Sequence, residues 1–191
     1  MTFSECKFLI KKDLDRLSPK KRLRYVRYLI TNASFKITFW FRLSSYLKSK
    51  TGFFYKILYY IIIMIYKHYQ YLTGIQLSVD SKVGGGLCFA HFSCIIIAGD
   101  SVIGKNCTIF HGVTIGSVRG PKGGAPKIGD NVVLSAGVQV IGNVKIGNNV
   151  IVGAGAVVVH DIPDNSVVVG NPAKIVSNNG KINVSYYVNV D

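Results

Sequence analysis

The sequence predicts a parallel β-helix preceded by an α-helical region. From Ile128 to Pro163 the chain falls into six-residue blocks, each opened by an aliphatic residue and continued by small or turn-forming residues. Such a short unit buries its apolar face only by stacking on copies of itself, and three blocks make one coil. Charge divides the chain as well, because residues 1–76 hold 15 of the 23 Lys and Arg but only 3 of the 9 Asp and Glu. We therefore expect a basic helical region over 1–76, a β-helix over 77–176 and a tail over 177–191.

The N-terminal region begins with basic segments rich in Leu and Tyr. Ser18 and Pro19 are a plausible N-cap and first residue of a helix over about 19–31. Its basic residues predict either a solvated helix face or contact with an anionic surface. No recognised nucleic-acid-binding motif accompanies them, so nucleic acid is not an expected partner.

A second part of this region, residues 53–72, is dominated by apolar and aromatic side chains. Its uninterrupted apolar run is about ten residues, which is short of the roughly 20 that span a bilayer. Tyr, Phe and flanking Lys residues favour an element in a membrane interface. The alternative is a helix packed on protein.

The repeat extends back to Leu77, with two interruptions. A slip of two residues lies between Phe89 and Ile97, and an insertion of seven lies between Ile115 and Ile128. The blocks then amount to about four coils. Their opening residues are Leu77, Val83, Phe89, Ile97, Ile103, Ile109, Ile115, Ile128, Leu134, Val140, Ile146, Val152 and Val158.

This register places two histidines together. His91 and His111 are each third in their blocks, and three blocks separate them once the slip is discounted. Neighbouring strands lie about 4.8 Å apart, so we expect the two side chains to stack on adjacent coils.

The seven-residue insertion lies within Ser117–Lys127, where three glycines and two prolines forbid a regular strand. It must leave the coil as a loop, and Arg119, Lys122 and Lys127 are candidates to meet phosphates. A solvated flexible loop is the alternative. We expect the chemistry at the two histidines, beneath this loop. After Val158 the repeat ends, and the alternating segment KINVSYYVNV predicts a short strand.

The four cysteines form no CxxC pair and no zinc-finger spacing. Cys88, Cys94 and Cys107 lie among apolar residues, which predicts buried free thiols and a reducing compartment. The first residues do not resemble a signal peptide. These features together predict a cytoplasmic protein.

Three segments resemble a known family: FHGVTIG (110–116), the repeat over 126–158, and DIPDNSVVVGNPAKIV (161–176). They are similar to hexapeptide-repeat acyltransferases of the serine acetyltransferase type. Within that family the closest resemblance is to shorter members of bacterial capsule and exopolysaccharide clusters, such as colanic acid acetyltransferases. The resemblance implies a left-handed β-helix, a homotrimer, and acetyl-CoA in the groove between neighbouring β-helices. It implies no metal.

The resemblance also implies the site residues. The catalytic histidine of the family corresponds to His91, a general base for the acceptor hydroxyl. His111 is the alternative base or a substrate contact. The residues implied for acetyl-CoA line the groove with small side chains and end in one lysine: Gly116, Ser117, Ala136, Gly137, Ala154, Gly155 and Lys174.

Three positions depart from the serine acetyltransferase pattern. Gln76 and Ala90 stand where that pattern has Asp, and Ala125 stands where it has His. The missing carboxylates favour a neutral acceptor over an amino acid. The sequence-based hypothesis is thus an acetyl-CoA-dependent O-acetyltransferase acting on a sugar hydroxyl of a bacterial surface polysaccharide or its lipid-linked precursor, peripheral at the membrane through 1–76. The alternatives are serine O-acetyltransferase and a non-catalytic membrane-associated scaffold.

Overall fold

The computed structural model describes residues 1–17, 24–121 and 123–188. The predicted cap at Ser18–Pro19 and the loop residue Lys122 lie outside them. Four helices open the chain: α1 (Phe3–Asp15), α2 (Arg24–Thr31), α3 (Ala33–Lys48) and α4 (Phe53–Thr73).

The first and third helices begin at polar caps. A capping box joins Thr2 and Glu5 at the start of α1. The Asn32 side chain accepts from the backbone N–H of Phe35 at the start of α3. None of the described helices is long and apolar enough to cross a membrane.

Short parallel strands follow α4 and form three sheets. Sheet A contains β1 (Ile75–Leu77), β4 (Ile95–Ile97), β7 (Thr114–Gly116), β10 (Gln139–Ile141) and β13 (Val157–Val158). Sheet B contains β2 (Lys82–Val83), β5 (Val102–Ile103), β8 (Lys127–Ile128) and β11 (Lys145–Ile146). Sheet C contains β3 (Cys88–Phe89), β6 (Thr108–Ile109), β9 (Val133–Leu134), β12 (Ile151–Val152), β14 (Val167–Val169) and, antiparallel at its edge, β15 (Lys174–Ser177).

Each parallel strand pairs with the third strand along the chain, as a coil of three sides requires, except that β12 pairs with β14 because only a bridge at Ile162 represents the sheet B side of that coil. The residues that open the predicted blocks point inward and are buried, with Val83 only partly so. Because the six-residue period places one aliphatic side chain per side inside the coil, their stacking forms a continuous core. The predicted parallel β-helix is confirmed.

The coils number about five rather than the four predicted. Sheet A has five strands, and Ile162 and Val168 continue the buried row beyond Val158. The sequence period hides this coil because Val158 and Ile162 are only four residues apart. Ile162 nevertheless pairs with Ile146 by a parallel bridge on the sheet B side.

One corner of the coil is built from asparagines with positive φ, at Asn106, Asn131, Asn149 and Asn165. Each of the first three donates its side-chain amide to the next, at 3.0–3.1 Å. Asn tolerates the left-handed region better than most residues, so this ladder provides a tight corner on successive coils.

The helices pack directly on the first coils. Ile37, Phe41 and Tyr66 belong to the same buried cluster as the coil interior. Arg42 donates to Asp13 at 2.9 Å and to the backbone oxygens of Val83 and Gly84 at 2.6 Å. The buried pair therefore connects α1, α3 and the turn after β2.

As far as Val188, where the description of the tail ends, KINVSYYVNV forms no strand. The tail forms α5 (Gly180–Val184) and a following turn, and Val184 and Val188 are buried against Val133 of sheet C. A spacing of four residues places both valines on one side of a helical turn, which the alternating pattern concealed.

Candidate functional site

The predicted histidines lie on one corner of the β-helix, where the chain passes from sheet C to sheet A; we call it the CA corner. Cys88 and Phe89 of β3 pair with Thr108 and Ile109 of β6, which brings His91 and His111 onto adjacent coils. Their ring centroids are 6.0 Å apart, with the planes at 67°. The predicted stacking is confirmed. A cavity of about 440 Å³ opens at this point, and its lining comprises His91, Phe92, Ser93, Cys94, His111 and Gly112.

The two-residue slip builds one wall of this cavity. Ser93 and Cys94 have backbone φ angles of 115° and 51°, which residues other than glycine seldom adopt. The backbone oxygen of Ser93 accepts from the N–H of Gly112 at 3.0 Å, which holds the wider turn on the next coil. Cys94 is exposed, so its predicted burial is wrong. The two extra residues push this corner out of the coil, and Cys94 leaves the apolar interior with them.

His91 rests on aromatic rings. The ring of Phe110 lies 5.8 Å from that of His91 and 6.2 Å from that of Tyr187 in the tail. Arg16 donates to the hydroxyl oxygen of Thr108 at 2.7 Å and to the backbone oxygen of Tyr187 at 3.2 Å. No local motif at Tyr187 predicts this support from the sequence, because α1 and the tail meet the coil only in the folded chain.

No hydrogen bond holds either imidazole within the part of the chain that the structure describes. Gln76 does not line the histidine cavity. It lies in a larger cavity of about 730 Å³ between α4 and the first strands of sheet A. Among the described residues, His91 has a ring contact with Phe110 and no hydrogen bond to a carboxylate.

Small residues continue the CA corner along the β-helix. The N–H of Gly137 donates to the backbone oxygen of His111 at 2.9 Å, and that of Gly155 donates to Ala136 at 2.9 Å. Gly137 and Gly155 have φ of 71° and 68°, so glycine is the favoured residue at both turns. We call Ala136, Gly137, Ala154 and Gly155 the small-residue stripe.

Lys174 lies at the far end of this stripe. It begins β15 just after the turn that follows β14, and Ala173 donates to the backbone oxygen of Val157 at 2.8 Å. The lysine is exposed. Because β15 is four strands from β6 in sheet C and strands lie about 4.8 Å apart, it stands roughly 19 Å along the axis from His111.

Gly116 and Ser117 lie elsewhere. Gly116 ends β7 at the opposite edge of sheet A, and Ser117 follows it where the Gly-rich loop begins. The loop closes as a hairpin in which Val118 and Gly124 exchange backbone hydrogen bonds at 2.9–3.0 Å. No loop residue lines the histidine cavity among the described residues, so the expectation that the histidines lie beneath the loop does not hold within one chain.

No group of three or more His, Cys, Asp or Glu that could hold a metal occurs among residues 1–17, 24–121 and 123–188.

Comparisons with known proteins agree with this architecture. A family model described as bacterial transferase hexapeptide (six repeats) matches residues 125–160. Serine acetyltransferase of Bacillus licheniformis is 33% identical over 113 residues, or 59% of this chain and 52% of its own. That of Staphylococcus aureus (strain Mu50) is 41% identical over 112 residues, or 58% and 53%. The chain thus spans about half the length of the curated relatives it matches.

Solved structures match over more of the chain. Neisseria gonorrhoeae serine acetyltransferase in complex with serine has a TM-score of 0.73 at 28% identity, covering 90% of this chain and 69% of that one. The soybean enzyme complexed with serine has a TM-score of 0.75 at 27% identity, covering 91% and 70%. A serine acetyltransferase complex with CoA, at 22% identity and a TM-score of 0.72, shows likeness of fold alone.

These comparisons contradict the function that the sequence predicted. The matched relatives are named serine acetyltransferase, so the prediction of a saccharide acceptor is wrong, and so is the assignment to capsule and colanic acid enzymes. That prediction rested on Gln76 and Ala90, neither of which lines the histidine cavity. In repeat, fold and sequence, the chain is similar to hexapeptide-repeat acyltransferases of the serine acetyltransferase type.

Proposed function

We propose that the protein is an acetyl-CoA-dependent O-acetyltransferase whose acceptor is the hydroxyl of serine. The observation that carries the proposal is the CA corner, where two stacked histidines continue into a small-residue stripe. The 41% identity to a serine acetyltransferase over 112 residues supports the choice of acceptor.

His91 is the proposed general base. Its imidazole accepts the proton of the serine hydroxyl as the oxygen attacks the carbonyl carbon of the thioester. The carbon–sulfur bond breaks, the thiolate takes up a proton, and O-acetylserine and CoA leave. His111, whose ring centroid is 6.0 Å away, is the proposed substrate contact and the alternative base.

The small-residue stripe fits the extended arm of acetyl-CoA, which supplies the activated acetyl group. A Cβ added at Gly155 would meet nothing within 4 Å, so the backbone there is open to a ligand. Lys174, exposed at the end of the stripe, is the proposed partner of the CoA phosphates. Gly116 and Ser117 contact the cofactor only if a neighbouring chain brings its CA corner to their edge of sheet A.

A homotrimer, in which the CA corner of one chain lies against the sheet A edge of its neighbour, is part of the proposal. The outward side chains of sheet A carry no charge: Gln76, Ile96, Thr114, Gln139 and Val157. Sheet B instead presents lysines. An uncharged face is the better candidate for packing against a second copy, which would then close the histidine cavity. Sedimentation velocity of the purified chain tests the trimer.

The acceptor test is incubation with acetyl-CoA and serine, with thiol release followed in time and O-acetylserine identified by mass spectrometry. We expect transfer to serine and none to alanine, which lacks the hydroxyl. His91→Ala is expected to lower kcat by about 10²–10⁴, while circular dichroism stays that of the wild type.

Two outcomes would contradict the proposal. CoA binding without transfer to serine would reject serine as acceptor. A His91→Ala variant with full transfer would reject His91 as the base, and the same measurement on His111→Ala would then decide between the two histidines.

A further inference from the structure

Helix α4 exposes a broad apolar face. Its inward side packs on α3 and on the start of the β-helix, where Tyr66 and Gln70 donate to the backbone oxygen of Leu77 at 2.6 and 2.7 Å. The opposite side, which we call the outer face of α4, leaves large apolar side chains 45–82% exposed. They are Phe53, Phe54, Ile57, Ile61, Met64 and Leu72.

These six residues share one side of the helix with the exposed His68, which lies between Met64 and Leu72. At about 100° per residue, they fall within a sector of roughly 100° around the helix. The buried residues Ile62, Tyr66 and Thr73 lie on the other side. The helix is therefore apolar on two opposed faces, and the coil covers only one of them.

Basic and aromatic residues border the outer face on one side. Lys56 and Lys67 lie about 40–60° beyond its edge. Tyr60 and Tyr71 lie between the lysines and the apolar centre and are 65% and 85% exposed. The sequence of α4 contains no Asp or Glu. An apolar centre with a rim of Tyr and Lys is the arrangement of helices that lie in a membrane interface.

The charge of the whole chain favours an anionic partner. Residues 1–76 contribute +12 of the formal +14. Two copies meeting through this face would bring like-charged lysines together with no carboxylate on α4 to offset them. A nucleic acid would leave the aliphatic side chains of Ile57, Ile61 and Met64 without partners, because they offer neither a stacking plane nor a hydrogen bond.

We propose that the outer face of α4 binds the surface of an anionic lipid bilayer, with the helix lying in the plane of the interface. The apolar side chains enter the acyl boundary, and Lys56 and Lys67 reach the lipid phosphates. The helix does not cross the bilayer. This proposal rests on α4 and on the charge of residues 1–76, and it is independent of the acetyl transfer proposed above.

The test is co-sedimentation of the full chain with vesicles of phosphatidylcholine, and of phosphatidylcholine with about one third phosphatidylglycerol. We expect binding to the anionic vesicles that weakens with added salt. The Ile61→Glu/Met64→Glu variant is expected to bind at least about tenfold more weakly. The Lys56→Gln/Lys67→Gln variant is expected to lose about tenfold on anionic vesicles only.

The matched control is Ile182→Glu/Tyr186→Glu, which adds the same charge at tail residues that are 62% and 81% exposed. Its vesicle binding should equal that of the wild type. Equal sedimentation of the Ile61→Glu/Met64→Glu variant and the wild type would overturn the proposal. A second result would also overturn it: the wild type binds neither kind of vesicle, and the Ile61→Glu/Met64→Glu variant has a lower sedimentation coefficient than the wild type. A second copy of the chain would then cover the face.

Discussion

His91 depends on rings for its position, because no described hydrogen bond holds its imidazole. Phe110 lies against it at 5.8 Å, and Tyr187 supports Phe110 from the tail at 6.2 Å. A general base that is held by packing loses its orientation when the packing is removed, and a small displacement of a catalytic group lowers the reaction rate strongly.

We predict that Phe110→Ala lowers kcat by about tenfold and leaves the KM for acetyl-CoA unchanged. The missing ring lets His91 tilt, whereas the small-residue stripe is untouched. Phe110→Tyr, which retains the ring, should recover most of the rate. Steady-state kinetics at saturating serine measure both, and an alanine variant with wild-type kcat would show that the ring does not position the base.

The cysteines differ sharply in environment. Burial raises the pKa of the Cys107 thiol to about 12, and it also raises the pKa values of Cys6 and Cys88. A raised pKa keeps a thiol protonated and unreactive until the pH approaches that pKa. Cys94 is exposed beside the histidines.

Iodoacetamide at mildly alkaline pH is therefore expected to modify Cys94 alone in the folded protein, and all four cysteines after denaturation. Intact-mass spectrometry counts the modified thiols. Modification of Cys94 should abolish acetyl transfer, because the adduct occupies the histidine cavity. Cys94→Ser should make the activity resistant to the reagent; rapid modification of Cys107 would contradict the burial.

At the level of elements, the coil corners decide which surface is open to ligands. Asn residues with positive φ form one corner and bond to one another, which leaves little room between coils. The CA corner uses glycine for the same backbone conformation at Gly112, Gly137 and Gly155. Both corners thus use residues with positive φ, but asparagine side chains fill one corner with a hydrogen-bonded ladder, whereas glycine leaves the other corner open.

Gly155→Asn tests this difference. Asn tolerates positive φ, so the fold should survive, but its side chain enters the stripe. We expect the KM for acetyl-CoA to rise about tenfold with little change in kcat. Gly155→Ala is the matched variant, because it bears at least the same backbone strain with only a methyl group. If alanine raises KM as much as asparagine, strain rather than occlusion is the cause.

At the level of the whole molecule, Arg42 joins the helical layer to the coil. It bonds Asp13 of α1 and the turn after β2, while Asp13 also accepts from the N–H groups of Gly86 and Leu87 at 2.8 and 3.0 Å. Removing one partner leaves the other charge buried and unpaired, which is more damaging than removing both.

We expect Arg42→Met to lower the free energy of unfolding by about 3–5 kcal/mol. Asp13→Leu/Arg42→Met should recover part of that loss, since no unpaired charge remains. Urea unfolding followed by circular dichroism measures both. A single variant as stable as the wild type would show that the pair does not dock the helices.

Much of the coil was predictable because its period is local. Six-residue spacing decides which side chain points inward, and the two-residue slip decides that His91 and His111 share a face. The fifth coil was not predictable, since the four-residue step from Val158 to Ile162 breaks the period while the strand pairing continues. The tail was mispredicted because alternation and a four-residue helical spacing coincide at Val184 and Val188.

The sequence by itself determined the repeat, its core and the pairing of the histidines, because each follows from residues whose separation in the chain equals a whole number of coils. Only the tertiary structure decided what surrounds them. The rings behind His91 and the exposure of the outer face of α4 both depend on contacts between distant segments. The chain's local pattern does not specify such contacts, because they form only when α1, α4 and the tail pack on the finished coil.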